Sequence, residues 1–313
     1  MDAIGGYFEL ELRKGEHFHK DALKLNTARN CFEYILKARG YKRVYMPFYT
    51  CEVMYHPLKK LKIDYLHYQI NEKFEVEDLP VLNEGEAILY TNYFALKQAY
   101  IEQLAEVYGA GLIIDNAQAF YAPRVNGVDT FYSARKFFGV PDGAYLYTDC
   151  YLEEPLEQDI SWDRVTHLVK RIDVSAEAGY DDFKRAEENL DDCQILLMSN
   201  LTQALLSNVD YSAVALKRRQ NYMCLDAILG RRNKLRVPLN PEAVPLAYPY
   251  YTDDLFLKAR LISNRIFIPT YWENVNRICA ELSLENELAK HLIALPIDQR
   301  DVDLDKILKI IND

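Results

Sequence analysis

Lys136 stands in the stretch TFYSARKFFGVPDGAYLYTD (130–149), three residues after Ser133. A lysine on a turn is ordinarily a solvated charge, and the pattern S-x-x-K recurs by chance. Asp115 lies 21 residues upstream, at the carboxyl end of the run GLIID, and Gln118 follows within a turn. Farther back, Thr27 precedes the helical run ARNCFEYIL. A helix start there offers free N–H groups and the positive end of the helix dipole at Thr27, Ala28 and Arg29, which suits a phosphate. An amine, a strand-end carboxylate and a phosphate cradle are together what one cofactor demands, pyridoxal phosphate. Lys136 would bond its aldehyde as a Schiff base. Asp115 would keep its pyridine nitrogen protonated, so that the ring works as an electron sink. Thr27, Ala28, Arg29 and Ser133 would hold its phosphate. Each feature alone is common; their order along the chain carries the reading.

These residues need elements to position them. Between residues 25 and 150, strand-like runs alternate with helical ones. RVYMPFY (43–49), KIDYLHYQI (62–70), EAILYTNYF (86–94), GLIIDNA (111–117) and GAYLYTD (143–149) read as strands, and KQAYIEQLAEVYG (97–109) as a helix ending on glycine. Such alternation predicts an α/β domain with a mainly parallel sheet, whose ligands sit at the carboxyl ends of the strands. Residues 161–230 read as helices. From Arg231, strand-like VPLAYPYYT, IFIPTYW and IALPID mix with helical DDLFLKARLISNR, NELAKHL and VDLDKILKII. The expected organisation is a large ligand-binding domain over 1–160, connecting helices over 161–230 and a small α+β C-terminal domain over 231–313.

Composition narrows the classes. With 313 residues, half of them hydrophobic, the chain can bury a substantial core. The formal net charge is −10 and no basic stripe occurs, so no nucleic-acid partner is expected. No apolar run reaches the ~20 residues that span a bilayer, and the first residues lack a basic-then-apolar signal segment. Six scattered cysteines without a C-x-x-C read as reduced thiols. A cytoplasmic protein without membrane partners is the expectation. His17 and His19 form H-x-H, which would share one face of a strand, but no third ligand stands nearby and no metal site is expected.

At its motifs the chain resembles the DegT/StrS family of fold-type I, pyridoxal-phosphate-dependent sugar aminotransferases. Asp115-Asn116-Ala117-Gln118-Ala119 is similar to that family's D-x-A-Q-A. Thr27-Ala28-Arg29-Asn30-Cys31-Phe32 resembles its phosphate-binding helix start. Pro141-Asp142-Gly143-Ala144 resembles the turn after its Schiff-base lysine. MPFYTCEV (46–53), YTNYFAL (90–96) and LAKHLIALPIDQR (288–300) resemble further family segments. The resemblance implies a large domain of the fold-type I kind and a homodimer. It also implies transfer of an amino group from a donor such as glutamate to a keto sugar linked to a nucleotide. It puts Gln118 near the ring and adds Tyr49, Asn92 and Tyr93 to the cofactor-binding candidates. Cys51 stands where the family carries an aromatic that stacks on the ring; Tyr49, Tyr93 and Phe94 are the alternatives. The family loop by which one subunit completes its neighbour's phosphate site has no counterpart in 179–199.

Two other readings compete. Tyr132 and Lys136 form the Y-x-x-x-K of short-chain dehydrogenases. That chemistry also needs a glycine-rich turn after the first strand, and Gly5-Gly6 stands alone upstream. The altered stacking position also allows a catalytically altered or inactive protein of this fold with a binding or regulatory role.

Overall fold

The structure, a computed structural model, describes residues 4–312. Its centre is a seven-stranded sheet built from β1 (Leu23–Leu25), β2 (Arg43–Pro47), β3 (Asp64–Tyr68), β4 (Glu86–Thr91), β5 (Leu112–Asn116), β6 (Asp129–Ser133) and β7 (Ala144–Tyr147), in the order β1-β7-β6-β5-β4-β2-β3. From β6 to β3 all neighbours are parallel, whereas β7 runs antiparallel to both β6 and β1. The strands β5 and β6 are buried along their whole length, as expected of parallel strands covered on both faces.

Successive side chains go to opposite faces. Ala87, Leu89, Ile113 and Phe131 pack with Phe32, Ile35 and Leu36 of α1 (Ala28–Arg39) and Leu58 of α2 (Tyr55–Leu61). Ile88, Tyr90, Leu112 and Ile114 pack on the other face. That second face is continuous with the C-terminal elements. These include α7 (Tyr211–Leu229), the antiparallel pair β8 (Ala247–Tyr251) and β9 (Leu292–Pro296), α8 (Leu257–Ser263), α9 (Val275–Ile278), α10 (Leu284–His291) and α11 (Leu304–Asn312). In chain order α3 (Gln98–Tyr108) links β4 to β5, and α4 (Thr166–Asp173), α5 (Tyr180–Asp191) and α6 (Asn200–Ser207) come between β7 and α7. Among the described residues no helix is long and apolar enough to cross a membrane.

Three sequence expectations need correction. The run IFIPTYW forms no strand, because its residues meet no partner edge and turn between α8 and α9. His17 and His19 lie in coil and turn, and among the described residues no cluster could hold a metal. His17 Nδ1 meets the Tyr145 hydroxyl at 2.6 Å, and His19 Nε2 donates to the Phe120 carbonyl at 2.7 Å. Both β1 and β6 were unforeseen. DTFYS carries a charge and three hydroxyls, so its strand character comes from its neighbours.

Candidate functional site

Register sets the site. Thr91 pairs with Asp115, Asp115 with Phe131, and Ser133 with Ala144, whose other neighbour is Leu25. Side-chain alternation then puts Thr91, Asp115 and Ser133 on the face of Leu89, Ile113 and Phe131, the face that α1 covers. The chain leaves β1 through Asn26 into α1. The Asn26 carbonyl accepts from the Gly143 N–H at 2.5 Å, and the Gly143 carbonyl from the Ala134 N–H at 3.0 Å. The start of α1 is therefore tied to the turn that carries Lys136.

That helix start is well formed. Thr27 has extended backbone (φ −139°), and its hydroxyl accepts the Asn30 N–H at 3.0 Å. The N–H groups of Ala28 and Arg29 have no acceptor within the helix, as for any first turn, and remain available to an anion. The Ser133 hydroxyl caps nothing at the following 3₁₀ turn, Ala134–Lys136. Lys136 ends that turn and is exposed.

Asp115 is 4 % exposed. Burial pushes its carboxyl up to about 6, against the pull of the Ala117 N–H, which its Oδ1 accepts at 2.8 Å, and of the nearby Lys136 charge. A buried carboxylate without a strong counter-charge is tuned for a positive partner. Two buried polar atoms without partners lie on Thr91, the residue paired with Asp115 across β4 and β5, and on Gln118, three residues after it: Thr91 Oγ1 and Gln118 Nε2. The Gln118 Oε1 accepts the Phe94 N–H at 2.8 Å, so its orientation is set and its amide hydrogens are free. Phe94 and Ala95 both adopt positive φ, 55° and 64°. Two adjacent left-handed non-glycine residues are strained, and such strain concentrates at functional loops.

Not every sequence candidate reaches this centre. The Arg29 guanidinium turns away to Asp191 (3.0 Å) and His56 (3.4 Å), which leaves its backbone N–H as the only donor it has at the helix start. The Asn92 side chain bridges Asn116 and the Lys97 N–H, both at 3.0 Å, and holds the loop after β4. Tyr93 is fully buried; its hydroxyl donates to the Tyr49 carbonyl at 2.9 Å and its ring stacks on Phe74 at 5.1 Å. Tyr49 is equally buried, against Tyr93 and Trp272. Thr91 was missed in the sequence, because its alignment with Asp115 exists only through strand pairing. Asp142 was quoted only as part of a turn. It is fully buried and binds the Ser199 N–H (2.8 Å) and hydroxyl (2.6 Å) and the Thr202 hydroxyl, pinning that turn to α6.

No family model matches the sequence, and no curated protein does. Solved structures match along the chain. Spr1654 of Streptococcus pneumoniae, assigned as a sugar aminotransferase and solved in its PLP form, is 14% identical over 93% of this chain and 85% of its own, with a TM-score of 0.63. A DegT/DnrJ/EryC1/StrS aminotransferase from Brucella abortus is 14% identical over 93% and 85%, with a TM-score of 0.60. The sugar aminotransferase CalS13 of Micromonospora echinospora is 14% identical over 93% and 87%, with a TM-score of 0.59. At such identity the likeness speaks to architecture: this chain has the fold of those aminotransferases, the fold-type I arrangement with its mainly parallel seven-stranded sheet.

Proposed function

We propose that this chain is a pyridoxal-phosphate-dependent aminotransferase acting on a keto sugar. The observation that carries the reading is the convergence, at the carboxyl edge of β4, β5 and β6, of an exposed lysine, a buried carboxylate awaiting a cation and an anion-ready helix start. The unpartnered Gln118 Nε2 and Thr91 Oγ1 fit a polar group that belongs there. The fold shared with a protein solved in its PLP form supports the same cofactor.

When bound, pyridoxal phosphate supplies an electron sink for the carbon that gains or loses the amine. The residues of this chain do the rest. The N–H groups of Ala28 and Arg29 and the hydroxyls of Thr27 and Ser133 would hold the phosphate. Asp115, ionised, would keep the ring nitrogen protonated. Gln118 would offer its free Nε2 hydrogens to a polar group of the cofactor. The Lys136 amine would hold the cofactor and, when free, would carry a proton to and from the reacting carbon. Its exposure lets donor and acceptor reach it from solvent. Glutamate as donor, a nucleotide-linked keto sugar as acceptor and a homodimer are the finer parts of this proposal; they rest on the sequence resemblance.

The test is a visible absorbance spectrum of the protein incubated with pyridoxal phosphate, for wild type and Lys136→Ala, before and after borohydride. The expected result is a yellow band that borohydride fixes covalently on Lys136 in wild type alone, with turnover lost in the variant. No band in either protein would refute the reading and leave a binding or regulatory role for the fold.

A further inference from the structure

Arg218, on α7, is 2 % exposed yet makes no salt bridge among the described residues. Burial lowers its guanidinium to about 10, so it stays charged at neutral pH. A buried cation without an acid partner is costly unless hydrogen bonds replace its water. Here Nη1 donates to the Leu246 carbonyl at 3.0 Å and lies 3.4 Å from that of Pro245. Its Nε donates to Gln299 Oε1 at 3.1 Å, and Nη2 reaches the Phe137 carbonyl at 3.5 Å. The guanidinium also lies 4.5 Å from the centre of the Phe137 ring.

Gln299 completes the arrangement. Its Nε2 donates to the same Phe137 carbonyl at 2.8 Å. The amide can face only this way, since a flip would set its NH₂ against Arg218 and its oxygen against a carbonyl. Gln299 is itself placed from α7, where Asn221 Nδ2 donates to the carbonyls of Ile297 and Asp298, each at 3.2 Å. Phe137 is the residue directly after Lys136. Two donors from C-terminal elements thus close on the carbonyl that follows the exposed lysine. Those elements also carry Tyr271, whose ring meets the strained Phe94 edge-on at 5.5 Å.

We infer that Arg218 and Gln299 are positioning residues for Lys136: they clamp the Phe137 carbonyl and thereby lock the lysine's turn to the C-terminal elements. The inference rests on the role proposed for Lys136. Neither residue touches the reacting atoms. Both act by holding the lysine amine in register with Asp115 and the helix start, where a misplacement of about 1 Å can cost as much as 100-fold in rate.

The discriminating variant is Gln299→Glu. A carboxylate keeps the acceptor for Arg218 Nε, now as an ion pair, but has no N–H for Phe137. Folding should be retained while positioning is lost. Arg218→Lys, which keeps the charge and loses the fork, is the second variant. The readouts are thermal melting, hydrogen–deuterium exchange of the peptide 134–140, retention of pyridoxal phosphate and steady-state kinetics. For Gln299→Glu we expect a melting temperature at or above wild type, at least tenfold faster exchange in 134–140 and about tenfold weaker cofactor retention. We also expect a 10- to 100-fold fall in kcat with KM within about twofold. Wild-type exchange and retention in folded Gln299→Glu would overturn the inference; should Arg218→Lys fail to fold, Gln299→Glu alone decides. If wild type takes up no cofactor, the proposed function fails, and exchange at 134–140 still decides whether the clamp holds the turn.

Discussion

Replacing Asp115 with asparagine should make the cofactor-free protein more stable and the cofactor-loaded protein less so. The carboxyl moves from an ordinary 3.8 to about 6, chiefly through burial. A carboxyl raised in the folded state favours folding fully only below its unfolded value, and loses that contribution as pH rises through about 4 to 6. At 1.36 kcal/mol per pH unit, ionising it at pH 8 costs the folded state about 3 kcal/mol. Asparagine copies the protonated acid in shape, and its Oδ1 still accepts the Ala117 N–H. For 313 residues, an unfolding entropy near 2.1 cal/mol/K per residue converts 3 kcal/mol into about 5 °C. Calorimetry of wild type and Asp115→Asn without cofactor, at pH 8 and pH 4, should show the variant about 5 °C higher at pH 8 and level at pH 4. With pyridoxal phosphate the order should reverse, because only the carboxylate pairs with a protonated ring nitrogen. A variant less stable at pH 8 without cofactor, or a gap that does not close towards pH 4, would refute the assignment of Asp115 as a carboxylate strained by burial.

Removing the helix cap with Thr27→Ala should cost about 1 kcal/mol in the empty protein, with a further loss in the melting shift that pyridoxal phosphate induces. Thr27→Ser should restore both, and an undiminished cofactor-induced shift in Thr27→Ala would remove Thr27 from the phosphate site. His19 sits 4 % exposed among Phe120, Tyr132 and Tyr145, and burial pushes its imidazole down to about 4. A folded-state value below the unfolded 6.5 means stability that is present above 6.5 and lost as pH falls towards 4, up to about 3 kcal/mol. His19→Gln should flatten the melting temperature between pH 6.5 and 4; an unchanged slope would place the acid sensitivity elsewhere. Asp115 and His19 act in opposite directions over this window, so each is read as the difference between variant and wild type.

The sequence by itself determined the elements whose signals are local. Strand-like apolar runs marked β2, β4 and β5; the threonine before ARNCFEYIL marked the start of α1; the strand ending in Asp115 and the turn after Lys136 were legible because a few adjacent residues dictate them. Two strands were not legible, β6 inside the sheet and β1 at its edge. DTFYS is mostly polar and LKL is only three residues long, and they become strands because β5 and β7 offer backbone partners. The same limit governed the site. Asp115 and Lys136 were found as types in order, but Thr91 joins them only through the register of β4 and β5. Tyr49, Asn92 and Tyr93 were placed by likeness, whereas in the fold two are core rings and the third is the strut of a loop. Arg29 was read only as part of the helix start, and packing sends its side chain to Asp191. The clamp on Phe137 draws on Arg218 and Gln299, 81 and 162 residues away. No window of sequence contains that distance, because such contacts are specified by how the C-terminal elements pack against the sheet and by the need to satisfy a buried cation there.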